Sequence, residues 1–369
     1  MRNLNFKMGV LGALLSAAVA FGNVTAEAQV LPGQITNTYP NLLDNGQFNV
    51  AQRGTTAVTT ITTTAKYLWD RWAGFSGTST NETLTNITSS LPSTAQAPVF
   101  TAGAQVQRAS GQTGTANVCL VQEIPSVDID DTAGQPVTFS FWAQAGSNFS
   151  ASGNALVAKV TTGTGTDEGL ATFITGFTGA ATPLNGTATL TTSWQRFAFT
   201  ANMSATSTEA AVTLCYTPTG TAGTNDYFQV TGVEFNVGTF PANFEIRPYG
   251  VELAKDQRYF FQENETVSGT TILGTVEATS ATAGVGLIPL PVPLRTVPST
   301  VTCTFGTMKV NIAGTATALT GCASSAGQST PNSIAITTTV GSGQTAGQIE
   351  LLQSGNSTGG GLISASADF

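Results

Sequence analysis

The sequence contains no histidine in its 369 residues. Ser-His-Asp and Cys-His catalysis, histidine metal sites and histidine pH switches are therefore excluded. Charged residues make up only 9% of the chain, against about 25% in an average globular protein. The 13 Lys and Arg residues and the net charge of -8 cannot supply the dense positive surface that nucleic acid requires. We therefore expect no nucleic-acid partner.

Threonine and glycine are prominent in the uncharged remainder. There are 40 Gly, and hydrophobic residues make up 41% of the chain, enough for a folded core. Thr is β-branched and suits strands, and Gly, Pro, Asn and Asp cluster between the strand-like runs. The pattern predicts an all-β protein with a jelly-roll-type β-sandwich. The runs are Gln105–Ala109, Asn117–Ile124, Val137–Ala145, Leu156–Thr161, Ala188–Thr192, Arg196–Ala201, Ala210–Tyr216 and Tyr227–Val237.

The first 28 residues have the features of an export signal. Two basic residues precede an apolar run over 8–22, and A-E-A at 26–28 fits a cleavage site. The run is about 15 residues long, shorter than the roughly 20 that span a bilayer. We therefore expect residues 1–28 to be a signal peptide or, alternatively, a hydrophobic tail that docks on a partner. Residues 29–40 would be a linker, and no membrane span is expected after cleavage.

A charged segment near residue 250 divides the rest of the chain. Its apolar residues keep helical spacing over Val251–Gln262. We expect a sandwich over 41–250, a short connecting helix within 251–266 and a smaller C-terminal β-domain over 267–369.

The four cysteines are divided equally between the two predicted domains. Cys119 and Cys215 lie in strand-like runs of the predicted sandwich, and Cys303 and Cys322 lie in the predicted C-terminal domain. Pairing within each region needs no particular arrangement of the two regions, and export would permit disulfides. Free buried thiols are the alternative for Cys119 and Cys215. Zinc is disfavoured because the chain has neither C-x-x-C nor His.

Several motifs, in order along the chain, resemble a family of bacteriophage tail-fibre and virion proteins. Asp256 stands where that family usually has Cys. The motifs are N-L-L-D-N-G-Q-F at 41–48, Q-R-G-T at 52–55, D-R-W at 70–72, T-F-S-F-W-A at 138–143, W-Q-R at 194–196, F-E-I-R-P-Y at 244–249, E-L at 252–253 and Q-R-Y-F at 257–260.

The resemblance implies a sandwich similar to carbohydrate-binding modules, followed by a small C-terminal domain. It also implies a homotrimer and contacts with other virion proteins, since tail fibres assemble in this way. The protein would then lie on the virion surface, whereas the signal-like N-terminus favours a secreted, extracellular protein.

Charged residues of these motifs are predicted to form a structural network. In a chain this poor in charge, buried ions need partners. A glycosidase needs two carboxylates across a cleft, but arginines beside Glu245 and Glu252 would lower carboxyl pKa values, the wrong direction for an acid. We therefore expect no catalytic residue. The network residues are Arg53, Asp70, Arg71, Glu245, Arg247, Glu252 and Arg258.

Aromatic side chains are the predicted ligand-binding residues, since their faces stack on sugar rings. Trp142 alternates with Phe139 and Phe141, so we expect it on the outer face of its strand as an exposed platform. Trp69, Tyr216 and Tyr227 are the other candidates.

An acidic cluster offers a candidate metal site. Asp128, Asp130 and Asp131 carry the oxygen ligands that suit Ca²⁺. D-D-T-A-G at 130–134 is equally typical of a turn. We expect no other cofactor.

Three hypotheses about function follow. The first is a non-enzymatic phage tail-fibre or virion surface protein that binds a host cell-surface glycan. The second is a secreted bacterial adhesin or carbohydrate-binding protein built from the same module. The third is a polysaccharide depolymerase, for which no carboxylate pair stands out.

Overall fold

The computed structural model describes residues 40–77, 81–93, 97–264, 271–355 and 361–368. The predicted signal peptide over 1–28, and the predicted linker up to residue 39, lie outside these residues. In the described part of the chain, no helix combines the length and the hydropathy needed to cross a membrane.

The first part of the described chain consists of twelve strands with two short helices between them. The helices are α1 (Ser126–Ile129) and α2 (Leu170–Thr175), with 3-10 turns at Asp130–Thr132 and Ser152–Asn154. The strands are β1 (Val58–Ile61), β2 (Lys66–Trp69), β3 (Trp72–Ser76), β4 (Glu82–Ile87), β5 (Gly103–Arg108), β6 (Val118–Ile124), β7 (Pro136–Ala145), β8 (Ala155–Gly163), β9 (Ala181–Thr189), β10 (Gln195–Asn202), β11 (Glu209–Tyr216) and β12 (Tyr227–Val237).

These strands form two six-stranded sheets. The first sheet has the order β1-β4-β5-β12-β7-β10, and the second β2-β3-β6-β11-β8-β9. Alternate side chains of a strand point to the same face, so Phe139 and Phe141 of β7 point inward together. They join Leu120 and Val212 of the second sheet in one core. The predicted all-β sandwich is confirmed.

The second part of the described chain begins with α3 (Tyr249–Asp256) and continues with nine strands. Six of them close into a barrel in the order β14-β15-β19-β18-β17-β20, and β13-β21-β16 form a small sheet beside it. The core here is mainly aliphatic. The strands are β13 (Phe260–Asn264), β14 (Ile272–Ala278), β15 (Ala283–Pro289), β16 (Thr300–Thr304), β17 (Lys309–Ile312), β18 (Thr315–Ser324), β19 (Ser333–Val340), β20 (Ile349–Gln353) and β21 (Leu362–Ser366), with a 3-10 turn at Ala326–Gln328.

The connecting helix is shorter than the sequence predicted. Helix α3 ends at Asp256, and residues from Phe260 form a strand instead. Phe260 and Phe261 pair in register with Ser366 and Ala365 of β21, and both rings are buried. Helical spacing over 251–262 could not reveal this partner, which lies about a hundred residues away in sequence and is met only after folding.

The cysteines form two disulfides, one in each region. Cys119 and Cys215 face each other across β6 and β11, with their Cα atoms 4.2 Å apart. Cys303 of β16 is bonded to Cys322 of β18, with Cα atoms 5.6 Å apart. The second bond therefore joins the small sheet to the barrel.

Candidate functional site

The N-L-L-D-N-G-Q-F segment is a structural loop. Asn41 holds β12 through bonds to the backbone of Val233 and Phe235. The side-chain amide of Asn45 donates to the carbonyls of Val50 and Asp70 at 2.8 and 2.9 Å. Such side-chain-to-backbone bonds set the path of a loop. The loop thereby ties the start of the sandwich to its last strand.

A cluster of ion pairs lies where this loop meets α3. Its centre is Asp44, which is 2.8 Å from Lys255, 3.7 Å from Arg247 and 3.8 Å from Arg71. Arg247 also lies 3.2 Å from Glu245 and 3.4 Å from Glu252. Because the arginine stands between the two carboxylates, they do not face each other across an open cleft.

A second group of ion pairs joins the sandwich to the end of the chain. Arg53 contacts Asp70 at 3.2 Å and also pairs with Asp368. Its guanidinium lies 3.6 Å from the ring centre of Phe260. Burial raises the pKa of Asp70 to about 6, although Arg53 acts in the opposite direction. Among the described residues the ion pairs do not include Arg258, which is exposed, so its predicted place in the network is wrong.

Asp256, at the end of α3, is fully buried, and neither of its carboxyl oxygens has a hydrogen-bond partner among the described residues. Burial raises its pKa well above the ordinary value, and the nearby carboxylates of Asp70 and Asp44 act in the same direction. Burial of Asp256 therefore favours the protonated, uncharged form of its carboxyl group.

The predicted aromatic platform at Trp142 is not exposed. Trp142 is 5% exposed. Gly232, with φ 59°, forms part of an irregularity in β12, and both Phe100 and Trp142 lie beside it. A side chain at Gly232 would lie 2.5 Å from the Phe100 ring and 3.3 Å from Trp142. Phe100 in turn packs on Phe244, with ring centres 5.4 Å apart. Trp142 is thus on the outer face, as predicted, but other segments cover it.

The other three predicted ligand-binding aromatics do not form one surface. Trp69 is buried and donates to Asn86 at 3.0 Å. Tyr216 is buried in the core, where its ring centre lies 4.7 Å from that of Phe149. Tyr227 is half-buried in the other sheet. Trp69 and Tyr216 both belong to the second sheet and point inward into the core, so neither ring can meet a ligand.

The acidic residues proposed for calcium are dispersed around α1 and the turn that follows. Asp128 is half-buried, whereas Asp130 and Asp131 are exposed. Within the described ranges, no group of three acidic or cysteine side chains is arranged to hold a metal ion. The turn interpretation of D-D-T-A-G agrees with the 3-10 turn at Asp130–Thr132.

An open groove, referred to below simply as the groove, lies on the outer face of the second sheet. Its volume is about 630 Å³. Outward side chains of β3, β6, β11, β8 and β9 form its floor, because the inward positions of the same strands are used by the core. The residues that line it are Phe75, Asn117, Cys119, Val157, Lys159, Thr161, Phe173, Ile174, Thr175, Gly176, Ala180, Thr182, Asn185, Thr213, Cys215 and Thr217.

One wall of the groove is aromatic. Helix α2 packs on the outer face of the sheet through Leu170, which is buried with Val121 and Ala211. The helix thereby places Phe173 near Phe75, with ring centres 6.3 Å apart and nearly perpendicular. Both rings are half-buried, so each keeps accessible surface toward the groove.

The floor of the groove offers polar groups that are not satisfied by the protein. Lys159 is flanked by Thr213 of β11 and Asn185 of β9, its partners in register. In the described residues the Thr161 hydroxyl also has no hydrogen-bond partner, but its oxygen is buried and is not open to the groove. The Cys119–Cys215 disulfide lies between these groups and the Phe75 wall.

The outer face of the first sheet differs from the groove. Its polar groups form a row of amides that bond to one another, from Gln107 to Gln105, Gln229 and Gln144. The three bonds measure 3.0, 2.7 and 2.6 Å. Groups that satisfy each other have less to offer a ligand, so the groove is the better candidate site.

A second depression, of about 450 Å³, lies beside α3. Tyr249 is 56% exposed there, close to Asn49 and Asn86. Asn86 already accepts the Trp69 indole proton, and Arg247 is occupied by the ion-pair cluster. This depression is therefore the second candidate binding site, after the groove.

Sequence reasoning missed the groove. Its main residues lie far apart in sequence, and none of them by itself indicates a binding site: they are Phe75, Lys159 and Phe173. The alternation of Val157, Lys159 and Thr161 against the core residues Leu156, Ala158 and Val160 was a usable signal, because it assigns the first set to the outer face.

No protein-family model and no curated protein matches the chain. Among solved structures, it is similar to the enzymatically active domain of a bacteriophage CBA120 tailspike protein, with 13% identity over 54% of this chain and 21% of that chain and a TM-score of 0.32. It is also similar to a CBM4 structure, with 17% identity over 42% of this chain and 87% of that chain and a TM-score of 0.27. A tandem CBM22-1–CBM22-2 domain from Paenibacillus barcinonensis Xyn10C has 11% identity, covers 91% of this chain and 92% of that chain, and gives a TM-score of 0.31. These low values do not assign the chain to a family.

Proposed function

We propose that the protein is a non-catalytic glycan-binding protein of the phage tail-fibre or virion-surface type, and that the groove is its binding site. The observation that carries this proposal is the groove itself, which combines an aromatic wall with unsatisfied polar groups on an open sheet face. Sugar rings present apolar faces to aromatic side chains and hydroxyl edges to hydrogen-bonding groups. The combination therefore fits a carbohydrate better than an apolar small molecule.

The residues lining the groove also support binding without hydrolysis. None of them is acidic, whereas glycoside hydrolysis ordinarily requires two carboxylates on either side of the scissile bond. A depolymerase would therefore have to use another surface. Incubation with polysaccharide, followed by measurement of reducing ends, tests this point: sustained release would contradict the non-enzymatic proposal.

A secreted adhesin or carbohydrate-binding protein is the second candidate. It is favoured by the two disulfides, since such bonds persist in oxidising, extracellular environments. Peptide mass spectrometry of density-purified phage particles and of cell-free supernatant distinguishes the candidates. Uncleaved N-terminal peptide in particles supports a virion protein, and a chain beginning at Gln29 found only free or on cells supports a secreted one.

Binding at the groove is tested with Phe173→Ala. The variant removes one ring of the aromatic wall, and we expect about a tenfold loss of affinity for the bound polysaccharide. Affinity electrophoresis or calorimetry with a polysaccharide panel provides the measurement. Tyr249→Ala is the matched control, because it removes an aromatic ring from the second depression. If Tyr249→Ala abolishes binding and Phe173→Ala does not, the groove is not the site.

A further inference from the structure

Lys159 is the only charged side chain among the described residues that line the groove. It is half-buried near the middle of β8, between a hydroxyl and an amide that stand opposite it on the neighbouring strands. Directly opposed side chains on adjacent strands have Cβ atoms about 5 Å apart. The Lys159 side chain therefore starts from the floor of the groove, with Thr213 and Asn185 beside it.

The Lys159 ammonium has neither an ion pair nor a hydrogen bond within the part of the chain that the structure describes. The chain has few cations, and most of its described arginines form ion pairs with carboxylates. These arginines are Arg53, Arg71, Arg108, Arg196, Arg247 and Arg295. A half-buried cation without a counter-ion, placed in a groove, has its positive charge available to a ligand.

The acidic groups of the same sheet face are distant from Lys159. Glu123 of β6 lies opposite Ala211 of β11, which lies opposite Thr161 of β8, so Glu123 is two strands, about 10 Å, to the side. Glu209 pairs in register with Gly163, four residues along β8 from Lys159, which corresponds to about 13 Å of strand. Its neighbour Glu168 is near the same end, since its backbone N–H donates to Glu209 at 2.8 Å. The Debye length at physiological salt is about 8 Å, so these carboxyl groups and the overall charge of -8 are largely screened from the centre of the groove.

We propose that the glycan bound in the groove is acidic, with a sugar carboxylate placed against Lys159. This inference rests on the proposed function. In this arrangement the carboxylate accepts hydrogen bonds from the ammonium, and neighbouring sugar hydroxyls bond to the exposed Asn185. The ring of an adjacent sugar packs on Phe173. Uronic and sialic acid residues carry the required group.

The test uses the full chain and four acidic polysaccharides: polygalacturonate, alginate, hyaluronan and polysialic acid. Each is compared with its own carboxyl-reduced derivative, which keeps the backbone and loses the charge. We expect at least one acidic form to bind, with a loss of about tenfold or more when its carboxylates are reduced. We expect the same loss in Lys159→Gln, and weaker binding of the acidic form at high salt. Lys309→Gln is the matched control, because it removes the same charge from the barrel. Lys309 does not line the groove, and it has no ion pair or hydrogen bond from its side chain among the described residues.

The outcomes separate the two proposals. Equal binding of an acidic polysaccharide and its reduced form, or binding of the reduced forms alone, overturns the acidic ligand and leaves glycan binding intact. Binding of an acidic form that Lys159→Gln leaves unchanged, or that Lys309→Gln weakens equally, overturns the role of Lys159. No binding to any acidic or reduced form, or to neutral polysaccharides in the same assay, contradicts the proposed function as well.

Discussion

Buried aromatic rings and buried ion pairs are concentrated in the sandwich, whereas the six strands of the barrel contain no aromatic residue at all. In the sandwich, Arg108 and Asp226 are both fully buried and lie 2.9 Å apart. The barrel core is made of side chains such as Val276, Ile336 and Leu352. Aromatic rings and buried ion pairs therefore fill the interior of the sandwich, whereas aliphatic side chains fill the interior of the barrel.

The two regions differ in buried aromatic and charged residues because their sheet edges and loops differ. A closed barrel pairs every strand with two neighbours, so it has no edges to protect and needs only a filled interior. The sandwich has open edges and long connections. Arginine and asparagine side chains hold those connections in place, as Asn45 and Arg247 do beside α3. The groove lies in this more elaborate region.

The largest expected difference concerns the disulfides. Cys119–Cys215 closes 96 residues and Cys303–Cys322 closes 19. On the chain-entropy model, loss of the first costs about 4.7 kcal/mol and loss of the second about 3 kcal/mol. Denaturant unfolding of the two double Cys→Ala variants checks this order. A smaller loss for the sandwich variant would mean that strain or unfolded-state structure outweighs loop length.

The buried ion pair of the sandwich comes next. Arg108→Met keeps most of the side-chain volume and leaves Asp226 buried without its cation, so we expect about 4 kcal/mol of destabilisation. Adding Asp226→Asn removes the unpaired charge and is expected to recover part of that loss. The surface variant Lys309→Ala in the barrel is the control, with an expected change within about 0.5 kcal/mol. The same small change in Arg108→Met would contradict the importance of the pair.

The cluster beside α3 is less deeply buried, so a smaller effect is expected. Arg247→Ala leaves Asp44 and Glu252 with one cation fewer and the carbonyls of Asn41 and Leu43 without a donor. We expect destabilisation of about 3 kcal/mol. The control is Arg258→Ala, a neighbouring exposed arginine. A melting temperature that is the same in both variants would show that the cluster is not a stabilising network.

The smallest effect depends on pH. Burial raises the pKa of Glu123 to about 8, with Arg71 acting in the opposite direction. The ordinary value is 4.5, so between pH 4.5 and 8 the unfolded chain has lost a proton that the folded protein retains. The free energy of unfolding therefore decreases as the pH rises through this window. In Glu123→Gln this decrease is absent, because the amide does not ionise. The full shift corresponds to about 4.8 kcal/mol. Because local opening can rehydrate the carboxyl group as it ionises, we expect the variant to gain only about 2 kcal/mol over the parent between pH 4 and pH 8.

Unfolding curves at the two pH values provide the measurement for Glu123→Gln. The exposed Glu277 of the barrel supplies the control, since Glu277→Gln lies outside any buried environment. An equal pH response in both variants would contradict the inferred burial effect.

Local sequence patterns located much of the fold. All eight strand-like runs overlap strands of the sandwich, and Tyr227–Val237 agrees at both ends. The short strands β1 to β4 were missed because each has only 4 to 6 residues, too few to show a clear alternation. The strand at Phe260 was missed because its partner is distant. For the site, the sequence pointed to aromatic residues in general but selected Trp142, which Phe100 covers.

The sequence by itself determined the β class, the absence of histidine chemistry, the low charge and the clustering of that charge in a few motifs, because composition and local alternation express these directly. Only the tertiary structure decided which aromatics are exposed, which carboxyl groups are buried without partners, and which residues share the groove. Those properties depend on contacts between strands distant in sequence. Phe75, Lys159 and Phe173 become neighbours only when β3, β8 and α2 meet on one face of the sheet.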